Sequence, residues 1–164
     1  MREIILIVHD IRSTHNVGSI LRTAEGFGVQ HVYLTGYTPY PETFNDNRLP
    51  HISKKLTAQI HKTALEAENL VKWSHHPDIH HLIDRLKNDG FTIIGLEQSS
   101  DAVTLPNFRP PSRCTLILGR EVEGLEDKLQ KKCDALVEIQ MYGKKESFNV
   151  VQAAAVALYS LRET

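Results

Sequence analysis

Ile4-Ile-Leu-Ile-Val8 is an unbroken run of aliphatic residues near the start of the chain. Since no polar residue alternates with the apolar ones, the run predicts a strand that is buried on both faces, as in a parallel sheet. Downstream, apolar residues recur at helical spacing between Asn16, which suits an N-cap, and Gly28, which suits a helix stop. The start of the chain therefore predicts a strand followed by a helix.

Strands and helices alternate along the rest of the chain. Further strands are predicted at residues 31–34, 91–96, 115–118 and 135–139, and further helices at residues 55–71, 76–90, 125–132 and 150–161. The stretch between residues 35 and 50 is rich in proline and lacks periodicity, so it is predicted to be a long loop. This alternation predicts the α/β class, with a mostly parallel sheet flanked by helices.

Composition limits what the protein can be. With 164 residues, of which 41% are hydrophobic and 24% charged, residues 1–164 are expected to form a single domain. The longest apolar runs are far shorter than the roughly 20 residues of a membrane span, and the start lacks a signal-peptide cleavage site. A cytoplasmic protein without a membrane partner is therefore expected. The net charge of −1 argues against a protein that coats nucleic acid nonspecifically, and no DNA partner is expected.

Cysteines and histidines do not predict a metal site. Cys114 and Cys133 lack close metal-ligand spacing and are expected to be small buried apolar residues. Four histidines between residues 75 and 81 have no cysteine or carboxylate pair that completes a ligand set, so a polar helix face is favoured. No metal is therefore expected.

Three polar clusters lie where predicted strands meet predicted helices. They are Asn16-Val-Gly-Ser-Ile-Leu-Arg22, Leu118-Gly-Arg-Glu-Val-Glu-Gly-Leu125 and Met141-Tyr-Gly-Lys-Lys-Glu-Ser-Phe-Asn149. Strand-to-helix turns gather at one edge of an open α/β sheet, so clusters that are distant in sequence can build one site there. The second cluster is not a phosphate-binding loop, because leucine follows its last glycine where lysine is needed. An active site of another kind is predicted.

Along the chain, the clusters read Asn-x-Gly-x-x-x-Arg, Leu-Gly-x-Glu-x-x-Gly-Leu and Ile-x-Met-x-Gly-x-x-x-Ser-x-Asn-Val. Together they resemble the three motifs of the SpoU, or TrmH-like, RNA ribose 2′-O-methyltransferases of the SPOUT superfamily, over nearly the whole chain. The resemblance implies a C-terminal deep trefoil knot, with S-adenosylmethionine bound among the knotted loops. It also implies a homodimer that methylates structured RNA, either tRNA or rRNA, without a separate RNA-binding domain.

Five polar residues match catalytic positions of the family: Arg22, Asn16, Glu121, Ser147 and Asn149. By resemblance, Arg22 activates the ribose hydroxyl together with an RNA phosphate, which its fixed charge can hold by two hydrogen bonds. The alternative for Arg22 is a solvated helix residue. Asn16 either positions the substrate and Arg22 or caps its helix, and Glu121 either orients Arg22 or the substrate or is an exposed loop carboxylate. Ser147 and Asn149 either face a ligand or cap the last helix.

The predicted cofactor-binding residues are mainly apolar or glycine: Leu96, Leu118, Gly119, Gly124, Ile139, Met141 and Phe148. Leu96 and its neighbour Glu97 are proposed from their place at the end of the third predicted strand, where the alternative is an ordinary strand-end loop. Gly119 lets the chain approach a ligand closely, although a tight turn alone would also explain it. The family usually has proline where this chain has Gln140 and leucine where it has Phe148, which affects the expected shape of the adenine pocket.

Basic residues beside the long loop are candidates for RNA contact: Arg12, Arg48, Lys54 and Lys55. Clusters of this density also occur on ordinary solvated surface. Two other functions stay open at this point. One is an enzyme of the same fold that methylates a base nitrogen, and the other is an RNA-binding or cofactor-binding protein without catalytic activity. The presence of Arg22 argues against the second.

Overall fold

Seven strands form one sheet in residues 1–163, the part of the chain that the computed structural model describes. The strands are β1 (Glu3–His9), β2 (His31–Thr35), β3 (Trp73–His76), β4 (Thr92–Leu96), β5 (Val103–Thr104), β6 (Arg113–Leu118) and β7 (Ala135–Glu138). Their order across the sheet is β3-β2-β1-β6-β4-β7-β5, and every neighbouring pair is parallel. The predicted α/β class with a mostly parallel sheet is confirmed.

Helices cover both faces of this sheet. They are α1 (Thr14–Gly26), α2 (Pro50–Ala64), α3 (Ala67–Leu70), α4 (Ile79–Asn88), α5 (Asp127–Gln130) and α6 (Val150–Glu163). Successive side chains of β1 point to opposite faces. Ile4 and Leu6 pack in a core with α1, α2 and α6, whereas Ile5 and Ile7 pack in a second core with α4 and α5. Burial on both faces is the reason for the unbroken aliphatic run.

Helix α1 begins earlier than the sequence predicts. It starts at Thr14, and the hydroxyl of Ser13 accepts the backbone N–H of Asn16 at 3.2 Å. Ser13 is therefore the N-cap, and the prediction that Asn16 caps this helix is wrong. Asn16 lies in the first turn instead, where its side-chain amide is available to a different partner.

The predicted helix over residues 55–71 is wrong at its start and in its middle. Pro50 occupies the first helical position of α2, where its missing N–H is not needed. The chain then turns at Leu65 and Glu66, whose φ angles are 49° and 74°, before α3 begins. The sequence also does not predict β3 and β5, because both lie at the sheet edges and neither is an apolar run.

Strand β6 lies between β1 and β4, although it follows both in sequence. The carboxyl ends of β4, β6 and β7 therefore meet at one edge of the sheet, where the second and third polar clusters begin. None of the described helices is long and apolar enough to cross a membrane. The trefoil knot that the resemblance implies stays a prediction.

Candidate active site

The loop after β6 doubles back on itself between Gly119 and Leu125. Arg120 and Gly124 exchange two backbone hydrogen bonds of 3.1 and 3.2 Å. A Cβ atom at Gly119 would lie 2.6 Å from the backbone carbonyl carbon of Gly124, so a side chain does not fit there. Gly124 has a φ of +68°, a conformation that favours glycine. Both glycines of the second cluster are therefore needed to fold this loop.

Glu97 ties this loop to the neighbouring strand. It directly follows β4, and its carboxylate accepts the backbone N–H of Leu125 at 2.5 Å and that of Gln98 at 3.0 Å. Hydrogen bonds to an ionised carboxylate are stronger than those between neutral groups. The loop after β6 is thus held against the end of β4.

A cavity of about 250 Å³ opens beside this loop, beyond the ends of β4, β6 and β7. Its lining includes six of the predicted cofactor-binding residues, namely Leu96, Leu118, Gly119, Gly124, Ile139 and Phe148, together with Glu121 and Ser147 from the predicted catalytic set. Val150 and Ala153 of α6 complete the wall. The end of a parallel sheet is the usual place for a ligand site in α/β folds.

The lining of this cavity is strongly acidic. It carries five glutamates and one arginine: Glu97, Glu121, Glu123, Glu138, Glu146 and Arg120. The arginine is paired elsewhere, because its guanidinium donates to the buried carboxylate of Asp10 at 3.0 and 3.3 Å. That hydrogen bonding raises the pKa of Arg120 above its ordinary value. We call this space the acidic cavity, and its charge favours a cationic ligand.

Glu121 connects the acidic cavity to the start of α1. Its carboxylate accepts the side-chain amide of Asn16 at 3.3 Å, and also the backbone N–H groups of Arg12 and Ser13 at 3.4 and 3.3 Å. The first and second polar clusters are therefore in direct contact, although more than a hundred residues separate them in sequence. The structure pairs Glu121 with Asn16 and not with Arg22.

Arg22, Met141 and Asn149 do not line the acidic cavity. Arg22 lies exposed on α1, and its side chain has no hydrogen bond or ion pair within residues 1–163. The side chain of Asn149 accepts the backbone N–H of Val151 at 2.9 Å, which is the geometry of a helix N-cap. For Asn149, the capping role that the sequence suggests is present.

Some residues of the site are absent from the sequence-based prediction. Glu138 ends β7 and Glu146 belongs to the third polar cluster, and both line the acidic cavity. Their positions, at a strand end and inside a motif, are the signal that could have found them. Asp10 directly follows the first strand, which is a weaker signal of a role in the site. Its partner, Arg120, is apparent only from the fold.

The residues predicted to contact RNA have different surroundings. Lys54 and Lys55 lie exposed on α2. Arg12 is also exposed, and its guanidinium carbon lies 5.9 Å from the centre of the Tyr37 ring. These three cations face solvent and can meet a phosphate.

Arg48 is held inside the loop between β2 and α2. Its guanidinium donates to both carboxylate oxygens of Asp46 at 2.8 and 2.5 Å, and to the backbone carbonyls of Tyr40 and Pro41 at 2.9 and 3.0 Å. It also lies 3.6 Å from the centre of the Tyr40 ring. Its hydrogen-bond donors are engaged in stabilising the loop, so we no longer assign RNA phosphate contact to Arg48.

In the described chain, no group of three or more histidine, cysteine or acidic side chains is arranged to hold a metal ion.

A parallel α/β sheet with a cavity beyond its strand ends defines a ligand-binding α/β domain. Residues 3–159 match the SpoU rRNA Methylase family, and the chain belongs to that family. It is 29% identical to a Staphylococcus aureus protein named as a TrmH family tRNA/rRNA methyltransferase, over 96% of this chain and 57% of the relative. It is 31% identical to an uncharacterised tRNA/rRNA methyltransferase of Synechocystis, over 96% of this chain and 37% of the relative. The chain thus spans little more than half the length of these curated relatives, or less.

Solved structures show the same fold at lower sequence identity. An S-adenosylmethionine-bound rRNA methyltransferase from Sinorhizobium meliloti has a TM-score of 0.84 at 19% identity, over 99% of this chain and 57% of that one. The TrmH/SpoU tRNA modifying enzyme of A. aeolicus has a TM-score of 0.81 at 20% identity, over 99% and 75%. A protein described for 2-OH methylation of C/U34 on tRNA has a TM-score of 0.75 at 19% identity, over 98% and 94%. These likenesses establish the fold.

Proposed function

We propose that the chain catalyses S-adenosylmethionine-dependent 2′-O-methylation of a ribose in a structured RNA, either tRNA or rRNA. The observation that carries the proposal is the contact between Glu121 and Asn16, because it joins the acidic cavity to the helix that bears Arg22. Family membership supports an RNA methyltransferase. The relatives with bound S-adenosylmethionine and with 2-OH methylation of tRNA support the cofactor and the ribose target.

The acidic cavity fits S-adenosylmethionine in charge and in polarity. The sulfonium and amino groups of this cofactor are cationic and outnumber its single carboxylate, and the glutamates of the lining supply the opposite charge. Leu118, Ile139 and Phe148 offer apolar surface for the adenine ring, and the glycine-dependent loop after β6 leaves backbone close to the ligand. When bound, the cofactor supplies a methyl group that its sulfonium has already activated.

Arg22 is the residue that we assign to the ribose. Its fixed positive charge can bind the neighbouring RNA phosphate through two hydrogen bonds and favour the loss of the 2′-hydroxyl proton. Because Arg22 has no partner within residues 1–163, all of its donors are available for this contact. Arg22 does not line the cavity of its own chain, so we include a homodimer in the proposal.

Other polar groups at the rim hold the substrate in place. Asn16 and Glu121 form a hydrogen-bonded pair beside the acidic cavity, and we assign them to positioning of the ribose. Ser147 lines the cavity before α6 and offers a hydroxyl donor. Lys54 and Lys55 supply positive charge for RNA phosphates further from the reacting group.

The proposal is tested by incubating the protein with isotope-labelled S-adenosylmethionine and unmodified tRNA and rRNA transcripts. The RNA is digested to nucleosides, which are identified by mass spectrometry. We expect a 2′-O-methylnucleoside that disappears with Arg22→Ala. Arg109→Ala is the matched control, since Arg109 is an exposed arginine whose guanidinium donates to the carbonyls of Pro106 and Phe108.

Two results would contradict the proposal. A methylated base would indicate an enzyme that acts on a base nitrogen. Binding of S-adenosylmethionine without any methylated product from either RNA pool would indicate a binding protein without catalytic activity.

A further inference from the structure

A second cavity, of about 460 Å³, is lined in part by Arg12 and Thr14 at the start of α1. The loop after β2, residues 36–40, forms much of its lining, and Leu56 of α2 and His75 of β3 also contribute to it. None of the steps assigned above uses this space. We call it the basic cavity because its described lining includes Arg12, Arg48 and His75 and no carboxylate.

Within the lining of the basic cavity, Tyr40 contacts both His75 and Arg48. The ring of Tyr40 stacks on His75 with their centres 4.1 Å apart and an angle of 18° between the planes. Arg48 lies against the same tyrosine, held by its hydrogen bonds to Asp46 and to backbone carbonyls. His75 is also within hydrogen-bond distance, 3.2 Å, of the carbonyl oxygen of Gly36. These contacts hold Tyr40, Arg48 and His75 in place within the lining.

The rim of the basic cavity carries an aromatic ring and an exposed arginine that interacts with it. Tyr37 lines this cavity, and 48% of its surface is exposed. The guanidinium of Arg12 lies 5.9 Å from the centre of this ring and faces solvent. An exposed aromatic face beside an arginine matches a nucleotide, whose base stacks on the ring and whose phosphate pairs with the cation.

The two cavities have opposite charge. The acidic cavity carries five glutamates and repels phosphate, whereas Arg12 in the lining of the basic cavity attracts it. They are also neighbours, because the backbone N–H of Arg12 donates to the carboxylate of Glu121 at 3.4 Å. Arg12 belongs to the lining of the basic cavity and Glu121 to that of the acidic cavity. The acidic cavity, which suits a cation, and the basic cavity, which suits an anion, are therefore linked by the hydrogen bond between Arg12 and Glu121.

We propose that the basic cavity binds one unpaired nucleotide of the RNA substrate, close to the ribose that is methylated. Tyr37 stacks on the base and Arg12 pairs with the phosphate. This inference rests on the proposed function, because it assumes that the acidic cavity is the place of methyl transfer. It adds that the target lies in a loop or another unpaired segment, since a base inside a duplex cannot stack on a protein side chain.

The test uses a fluorescently labelled RNA hairpin with an unpaired loop of randomised sequence, and a blunt duplex with the same stem. Binding is followed by fluorescence anisotropy at several salt concentrations. Tyr37→Ala should weaken hairpin binding about tenfold, whereas Tyr37→Phe should keep it, because stacking on an aromatic ring contributes on this scale. Arg12→Ala should weaken binding and lower the slope of log affinity against log salt by about one.

Controls separate a lost contact from a damaged fold. Phe44→Ala removes a fully exposed aromatic ring from the same loop without touching either cavity lining, and it should bind the hairpin like wild type. Calorimetric binding of S-adenosylmethionine should be unchanged in Tyr37→Ala and Arg12→Ala. A variant that loses both RNA and cofactor binding would show a general structural role for that residue and would overturn its assignment to the nucleotide.

The outcomes also separate this inference from the proposed function. Equal hairpin affinity of wild type, Tyr37→Ala and Arg12→Ala overturns the nucleotide site, even if all three proteins methylate RNA. Equal affinity of wild type for hairpin and duplex overturns it as well. Tyr37-dependent hairpin binding by a protein that transfers no methyl group supports the nucleotide site and contradicts the proposed function. Absence of hairpin binding by wild type overturns the nucleotide site, and the methylation assay with tRNA and rRNA then decides the proposed function separately.

Discussion

Arg120 donates two hydrogen bonds to one carboxylate oxygen of Asp10, at 3.0 and 3.3 Å. The other carboxylate oxygen of Asp10 accepts the backbone N–H of Tyr37 at 3.1 Å. Arg120 lines the acidic cavity and Tyr37 lines the basic one. A single buried carboxylate therefore joins the loops that form the two cavities.

Asp10→Asn should weaken this link while keeping the backbone in place. Asp10 has a φ of 54°, a left-handed conformation that asparagine tolerates better than most residues. We expect a lower melting temperature and weaker binding of both S-adenosylmethionine and RNA hairpins, measured by calorimetry and anisotropy. Asp84→Asn, which removes an exposed carboxylate paired with Lys132, should change neither affinity. Unchanged affinities in Asp10→Asn would show that the ion pair does not support the two sites.

Gly119→Ala should abolish binding of S-adenosylmethionine. The new Cβ atom would lie 2.6 Å from the backbone carbonyl carbon of Gly124, and backbone cannot move aside without reshaping the loop. Gly143→Ala is the control, because a Cβ atom there would meet no atom within 4 Å. Isothermal titration calorimetry with the cofactor measures both variants. Normal binding by Gly119→Ala would mean that the loop after β6 does not shape the cofactor site.

Arg22→Ala should lower the rate of methyl transfer by about 10²–10⁴-fold, the scale of a lost acid–base contribution. The melting temperature and the Kd for S-adenosylmethionine should stay the same, because Arg22 has no partner within residues 1–163 and does not line the acidic cavity. Single-turnover kinetics with saturating RNA measure the rate. A variant with nearly full activity would remove Arg22 from the mechanism.

Charge reversal at Lys54 and Lys55 should raise the KM for RNA and leave kcat unchanged. Both lysines are exposed on α2, so the change acts through attraction of phosphates and not through folding. The double variant Lys128→Glu/Lys131→Glu carries the same change of charge on exposed residues around α5 and serves as the control. Equal KM values for the two double variants would show that only net charge matters.

Acidification should destabilise the protein through His9. This side chain is buried beside Thr35, with 2.9 Å between Nδ1 and Oγ1, and burial lowers its pKa below the ordinary 6.5, against the opposing charge of Asp10. Between the lowered pKa and 6.5, the unfolded chain binds more protons than the folded one, so the free energy of unfolding falls as the pH falls. Melting temperatures measured from about pH 7 to about pH 5 should drop less steeply in His9→Gln. The exposed His51→Gln should follow wild type, and an equally steep drop in His9→Gln would contradict this assignment.

Local patterns in the sequence determined much of the fold and part of the site. The aliphatic run Ile4–Val8 predicts a strand buried on both faces, because side-chain burial follows directly from period and composition. The glycines at 119 and 124 mark a tight loop, since their conformational freedom is a property of the residue itself. Motif order and family resemblance brought most of the acidic cavity's lining together before any coordinates.

Tertiary structure alone decided which side chains meet. The insertion of β6 between β1 and β4 places Glu121 on Asn16 and Arg120 on Asp10, and pairings over such sequence distances leave no periodic trace in the chain. The partners of Arg48 also could not be predicted from the sequence, which indicates a surface cation. In the structure, its guanidinium donates to Asp46 and to a backbone carbonyl of the loop. Helix and strand patterns report interactions between near neighbours, whereas a site depends on strand order, which is set by packing of the whole sheet.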